Sequence, residues 1–472
     1  MTRAEQGTTP SDSPDHGGAA PSGVSSALAA GDRDPSDSMA QDLDDPTAAA
    51  KAVPVVAGAQ TFKEYAHVQV LRIKGGESGI LPVLLALIVI VIVFQAISPN
   101  HVFLSANNLV NLFQQSAVFM VLAMAETFAL LLGDIDLSIG YVGPLGGAIA
   151  VQLVQPSTSN WPWWAAIIAA LAACALIGAF QGTLITRLRL PSFIVTLGGL
   201  LIFNGVLLIV LAIGPFSGYP SLIGHSVNLS ALHDLMWGHV SPAAGWIIMG
   251  LVVGLLGLGL FLRDGRRRRS GLVAPPLSVT IIKIVAMAVA GVVVVAICNV
   301  NRAAIGTLEG VPYAILIVLG ILGIWTVLLQ RMRYGRYIYA IGGNTEAARR
   351  AGIRVNRIRT WAFVLCAVTA GAGGLLYASY LGGMSNNVNG GQLVLYAVAA
   401  AVIGGTSLFG GRGKIANGVL GGLVIGAIYN GMYLLGLDVQ YQFIVTGLVL
   451  VAAVTVDALS RRGATSGSAA RA

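Results

Sequence analysis

Runs of about 18 or more residues without a single charge recur along this 472-residue chain, and that is the length an α-helix needs to cross ~30 Å of hydrocarbon. Only 10% of the residues are charged, against about 25% in soluble domains, so a water-soluble fold is excluded. A membrane barrel would instead show short alternating segments, and none occur. Window hydropathy predicts an all-α polytopic protein of about twelve spans, near 80–98, 107–131, 138–155, 163–186, 191–213, 242–262, 277–299, 312–330, 360–381, 395–409, 416–436 and 440–458. Starting inside, this count puts Arg187 with Arg189, the Arg266 to Arg269 run, residues 331–359, Arg412 with Lys414, and Arg461 with Arg462 on the cytoplasmic side. Of the 28 Lys and Arg residues only Lys283 and Arg302 lie elsewhere, so the net charge of +8 reflects positive-inside topology and not nucleic-acid binding. Both termini are then cytoplasmic.

Residues 1–60 are rich in Ala, Ser, Asp, Gly and Pro with no apolar period, which predicts a disordered cytoplasmic tail without a cleavable signal. A juxtamembrane segment at 61–78 mixes Phe62, Tyr65 and Leu71 with Lys63, Arg72 and Lys74, as a short surface helix would. The transmembrane domain occupies 79–460, with its main cytoplasmic loop at 331–359, and a cytoplasmic tail follows at 461–472. Cys174, Cys298 and Cys366 each sit in an apolar run without CxxC spacing, which predicts packing and no metal site. No zincin motif, nucleophile elbow or dinucleotide fingerprint occurs, so the chain offers no catalytic constellation. The largest outer loop, about 215–240, leaves little surface for catching a dilute solute, which points to a separate capture protein.

Three clusters interrupt the apolar pattern. GDIDLSIG, Gly133 to Gly140, places Asp134, Asp136 and Ser138 at a turn near an interface, where helix capping competes with solute contact. Glu126 lies well inside the second span and is a functional candidate by default, because a carboxylate in lipid needs a cavity or a partner; Lys283 is one candidate partner. Together with Asn204, Asn387, Thr406 and Asn430, these four residues form the set of candidates for a translocation path.

In the 331–359 loop, Gly342 and Gly343 make a turn, Asn344 suits an N-cap, Glu346 the first turn, Arg349 and Arg350 the last, and Gly352 the stop. That pattern predicts a short, doubly capped helix exposed outside the membrane, a docking element for another protein. In the third cluster, Gly404 to Gly426, GGRGK lacks the Ser or Thr and the first glycine of a phosphate loop. Gly418, Gly422 and Gly426 repeat every fourth residue and predict close helix packing, while the flanking glycines suit a broken span.

GDIDLSIG at Gly133, LPSFIVTLGG at Leu190, YGRYIYAIGGNTEAARRAGI at Tyr334 and GGTSLFGGRG at Gly404, in that order over residues 80–460, resemble the permease family of ATP-binding-cassette sugar importers, the ribose and xylose type. The resemblance implies a non-enzymatic permease subunit of a bacterial plasma (inner) membrane that carries a monosaccharide, a pentose such as xylose, by alternating access. It implies a second permease copy, cytoplasmic ATPase subunits that hold the ATP and Mg, an extracytoplasmic sugar-binding protein, and no cofactor on this chain. Asn344 to Gly352 corresponds to the coupling helix that rests on the ATPase. The spans at 242–262 and 277–299 resemble an insertion found in xylose-type members. Val394 and Tyr396 stand where many relatives carry acidic residues. The residues also leave open a secondary transporter using Glu126 or Asp134 for protons, a membrane enzyme and a multi-pass scaffold.

Overall fold

Helix follows helix in the computed structural model: α1 (Leu81–Ile97), a 3-10 turn (Pro99–Leu104), α2 (Ala106–Leu131), α3 (Ile139–Val154), α4 (Trp163–Arg187), α5 (Ser192–Leu211), α6 (Val227–Trp237), α7 (Pro242–Arg269), α8 (Leu277–Cys298), α9 (Tyr313–Arg331), α10 (Arg333–Gly343), α11 (Thr345–Arg350), α12 (Val355–Leu381), α13 (Gly390–Ile403) and α14 (Ile415–Leu434). Residues 440–449 are helical as well. The structure describes residues 81–213, 220–272, 274–303, 306–438 and 440–449, with 451 and 455, all within the unit Ala59–Ala472. The tails expected at 1–60 and 461–472 and the juxtamembrane segment at 61–78 lie outside the described residues. Among the described residues, extended pairing is limited to two isolated bridges, Ser221 with Gly383 and His239 with Pro312.

Among the described residues eight helices, α2, α4, α5, α7, α8, α9, α12 and α14, are long and apolar enough to cross a membrane. The least apolar of them, α2, α12 and α14, are the most buried, and the most apolar, α8, is among the least. That inversion is what lipid as solvent demands, since polar side chains are tolerated only where protein surrounds them. Thus α2 buries Gln114, Gln115 and Glu126, while α8 presents Ile281, Val285, Val289 and Val292 outward.

The core sits around α2, which packs against α12, α13 and α14, and α12 in turn packs on α3 and α4. Close approach depends on small residues. On α14, Gly418, Gly422 and Gly426 all face α2; a Cβ on Gly418 would stand 2.8 Å from the Met124 backbone nitrogen. α13 differs from its expected span for a local reason. α13 is only 14 residues long, too short at 1.5 Å per residue to cross ~30 Å, and ends at Ile403, where Gly405 turns the chain with a φ of 98°. Residues 404–414 are then irregular, as in a broken span.

Three further corrections concern segments expected to be loops. Arg266 to Arg269 form the last turn of α7, where positive charge complements the helix dipole. Residues 333–343 are the amphipathic helix α10, and α12 begins at Val355, so Arg359 is helical. The outer segment about 215–240 contains α6, tied to the core through Ser379: its hydroxyl donates to the His233 carbonyl at 2.6 Å and accepts from Met236 N–H at 2.9 Å.

Candidate coupling and translocation site

The turn between α2 and α3 gathers four buried polar side chains of the expected set. Gly133, with a φ of 78°, ends α2 and lets the Asp134 amide bond back to the Ala129 carbonyl at 3.1 Å. Beyond it, Glu126 and Asp136 are both fully buried and Asp134 is nearly so. Glu126 Oε1 accepts the Asp136 amide at 3.2 Å, and its other oxygen has no hydrogen-bond partner among the described residues. Lys283, by contrast, lies on the exposed face of α8, so the neighbour that Glu126 has found is the Asp136 backbone.

Asp136 Oδ1 accepts from both the amide and the hydroxyl of Ser138, at 3.0 and 2.6 Å. Ser138 therefore does not cap α3; its side chain is turned toward Asp136 and Gln181 Oε1, 3.1 Å away. Gln181 Nε2 is buried without a hydrogen-bond partner among the described residues. Turning that amide over would let it donate to Ser138 Oγ and leave the serine proton to Asp136, which satisfies both groups.

Asp134 binds outward. Arg359 at the start of α12 grips it with two hydrogen bonds, Nε to Oδ2 at 2.6 Å and a terminal amino group to Oδ1. Ser192, opening α5, donates to Oδ1 at 2.8 Å. Bidentate, charge-assisted bonds of this kind fix geometry as well as charge. One carboxylate thus joins the α2–α3 turn to two other helices.

The three glycine-containing clusters, far apart in sequence, meet beside this turn. The Gly411 amide donates to the Leu131 carbonyl at 2.9 Å. A Cβ on Gly410 would lie 2.8 Å from the Gly342 carbonyl oxygen and 2.9 Å from the Gly133 nitrogen. Tyr339 on α10 donates to the Gly413 carbonyl at 2.8 Å; burial pushes its phenol upward, so it remains a donor at neutral pH. Thr406 is buried in the same 404–414 segment, with its hydroxyl unpartnered among the described residues.

From this junction α11 projects. Asn344 Oδ1 accepts the Ala347 amide at 2.9 Å, Glu346 pairs with Arg349 at 2.8 Å and Arg350 at 3.5 Å, and Gly352 stops the helix with a φ of 81°. Ala348 is buried against the body while the charged side chains are more than half exposed. Gly342 is wedged against Leu131, whereas Gly343 has open space where its Cβ would be.

The other expected residues lie apart. Asn430 accepts from Asn108 at 2.9 Å and donates to Gln115 at 3.2 Å. Asn204 is half-buried on α5, and Asn387 is exposed between α12 and α13. Gln115 borders a cavity of about 170 Å³ that also involves Tyr380, Gln392, Tyr396, Tyr429 and Gln442. Gln115 and Glu126 are eleven residues apart on α2, so the cavity and the buried carboxyls are separated by about 16 Å along the helix axis. The cavity residues, Gln181, Ser192 and Arg359 were not expected; the recurrence of Gln392 and Tyr396 at four-residue spacing was the one available signal.

Residues 108–454 match the family model described as branched-chain amino acid transport system, permease component. The xylose transport system permease protein of Escherichia coli is 34% identical over 403 residues, 82% of this chain and 96% of that one. The ribose import permease protein of the same organism is 32% identical, covering 79% and 92%, and its D-allose transport system permease protein is 30% identical, covering 79% and 90%. No solved structure matches.

Proposed function

We propose, since the chain belongs to the ribose- and xylose-type permeases of ATP-binding-cassette sugar importers, that it carries a pentose such as xylose across a bacterial plasma membrane by alternating access. Two copies pair, cytoplasmic ATPases carrying ATP and Mg dock on α11, and an extracytoplasmic binding protein delivers the sugar. The chain itself binds no nucleotide.

The observation that supports this reading is a double tether. The segment from α10 to the start of α12 is held to the α2–α3 turn on both sides of α11, by Gly342 against Leu131 and by Arg359 on Asp134. Displacement of the exposed α11 is therefore delivered to the core on two lines. An ATPase that binds one arrangement of α11 more tightly shifts the permease by that difference in affinity. Asp134, engaged by Arg359 and Ser192, is poorly placed to carry protons.

Reconstitution tests the reading. Proteoliposomes holding this chain, its ATPase and its binding protein take up D-xylose only with ATP. Uptake by the chain alone under an imposed proton gradient would instead establish a secondary transporter.

A further inference from the structure

The cavity bordered by Gln115 is unlike the carboxyl-rich turn. Among the described residues its lining includes four amides and four phenols and no charged side chain. Its walls are ordered by contacts that need no ligand. Gln115 is held by the Asn108–Asn430 chain. Phe119, Tyr396 and Tyr429 meet edge to face with centroids 5.3 to 6.4 Å apart. Tyr380 stacks on Trp237 of α6 at 5.9 Å. Gln392 Nε2 donates to Tyr396 Oη at 2.6 Å, which leaves the phenol proton and the amide carbonyl for a guest.

Hydroxyl groups both donate and accept, as amides and phenols do, so such a wall matches a polyhydroxylated ring group for group. Tyrosine faces add flat apolar surface for the ring's C–H side. A free amino acid would bring a carboxylate and an ammonium into a wall with no opposite charge, and burying unpaired charge is costly. The family model's description names an amino acid system, so the distinction has content.

We propose that this cavity is a sugar-recognition site carried by the permease itself, in which Gln392 and Tyr396 discriminate between monosaccharide hydroxyl patterns. The inference rests on the importer reading above. It adds a second selection step after capture by the binding protein.

The test uses the complete reconstituted transporter with one unchanged binding protein. In Q392A and Y396F, the half-saturating concentration for radiolabelled D-xylose rises about three- to tenfold, the loss of one hydrogen bond, and the xylose-to-ribose uptake ratio changes. A direct measurement covers variants that assemble poorly. Because Cys174, Cys298 and Cys366 are buried, Q392C provides a reactive thiol whose modification by a methanethiosulfonate is slowed by D-xylose and not by L-leucine. Wild-type transport with unaltered selectivity in Q392A and Y396F, or no protection of Q392C in either the nucleotide-free or the vanadate-trapped state, overturns the inference and leaves the importer intact. Failure of the wild-type assembly to move any sugar refutes the importer reading instead.

Discussion

Arg359 reaches across 225 residues of sequence to bind both oxygens of Asp134. The pair is partly shielded, with the aspartate side chain 5% and the arginine 31% exposed. Removing one partner of such a pair leaves the other without its counter-charge. D134N should therefore destabilise the detergent-purified protein by about 3 kcal/mol or more, read as a lowered melting temperature. R359K, which keeps the charge but not the two-pronged geometry, should fall between D134N and wild type.

Gly342 and Gly343 separate packing from composition. A methyl group on Gly342 would meet the Leu131 carbonyl, while one on Gly343 would meet nothing within 4 Å. G342A should cost about 1–3 kcal/mol or prevent assembly, and G343A should stay within about 0.5 kcal/mol of wild type. Size-exclusion profiles and melting curves of the two variants check this.

The ion pairs of α11 are exposed, and such pairs contribute about 0–1 kcal/mol. E346A should consequently leave melting unchanged while lowering ATP-driven uptake and sugar-stimulated ATPase activity. A stable variant with undiminished uptake would argue that α11 is a solvated connector.

Glu126 accepts the Asp136 amide in a buried site. E126A leaves that amide unsatisfied at a cost of about 1–3 kcal/mol, whereas E126Q retains an acceptor and should melt close to wild type. ATP-driven uptake should survive in E126Q. Its loss at full stability would revive proton carriage by this carboxyl.

The helical architecture was legible because bilayer thickness imposes a length on every apolar run, and α11 was legible because Asn344 and Gly352 specify its two ends locally. What joins them was not. Gly133 and Gly342 each read as an ordinary turn and Gly410 as part of a broken span, and their meeting is set by packing among segments more than 60 residues apart. Arg359 read as one more cytoplasmic charge, since nothing adjacent reveals that α12 begins early enough to aim it at Asp134. α6 was missed because its anchors, such as Ser379, lie elsewhere in the chain. The cavity tyrosines lie on α12, α13 and α14, and only the packing of those helices with α2 brings them together.

The number of sugar molecules imported per ATP hydrolysed in R359A, in proteoliposomes where ATPase attachment is verified, addresses most directly the transmission from α11 to the α2–α3 turn. With one of the two tethers cut, hydrolysis should continue and the ratio should fall at least several-fold below wild type. An unchanged ratio in a correctly folded R359A assembly would contradict the account.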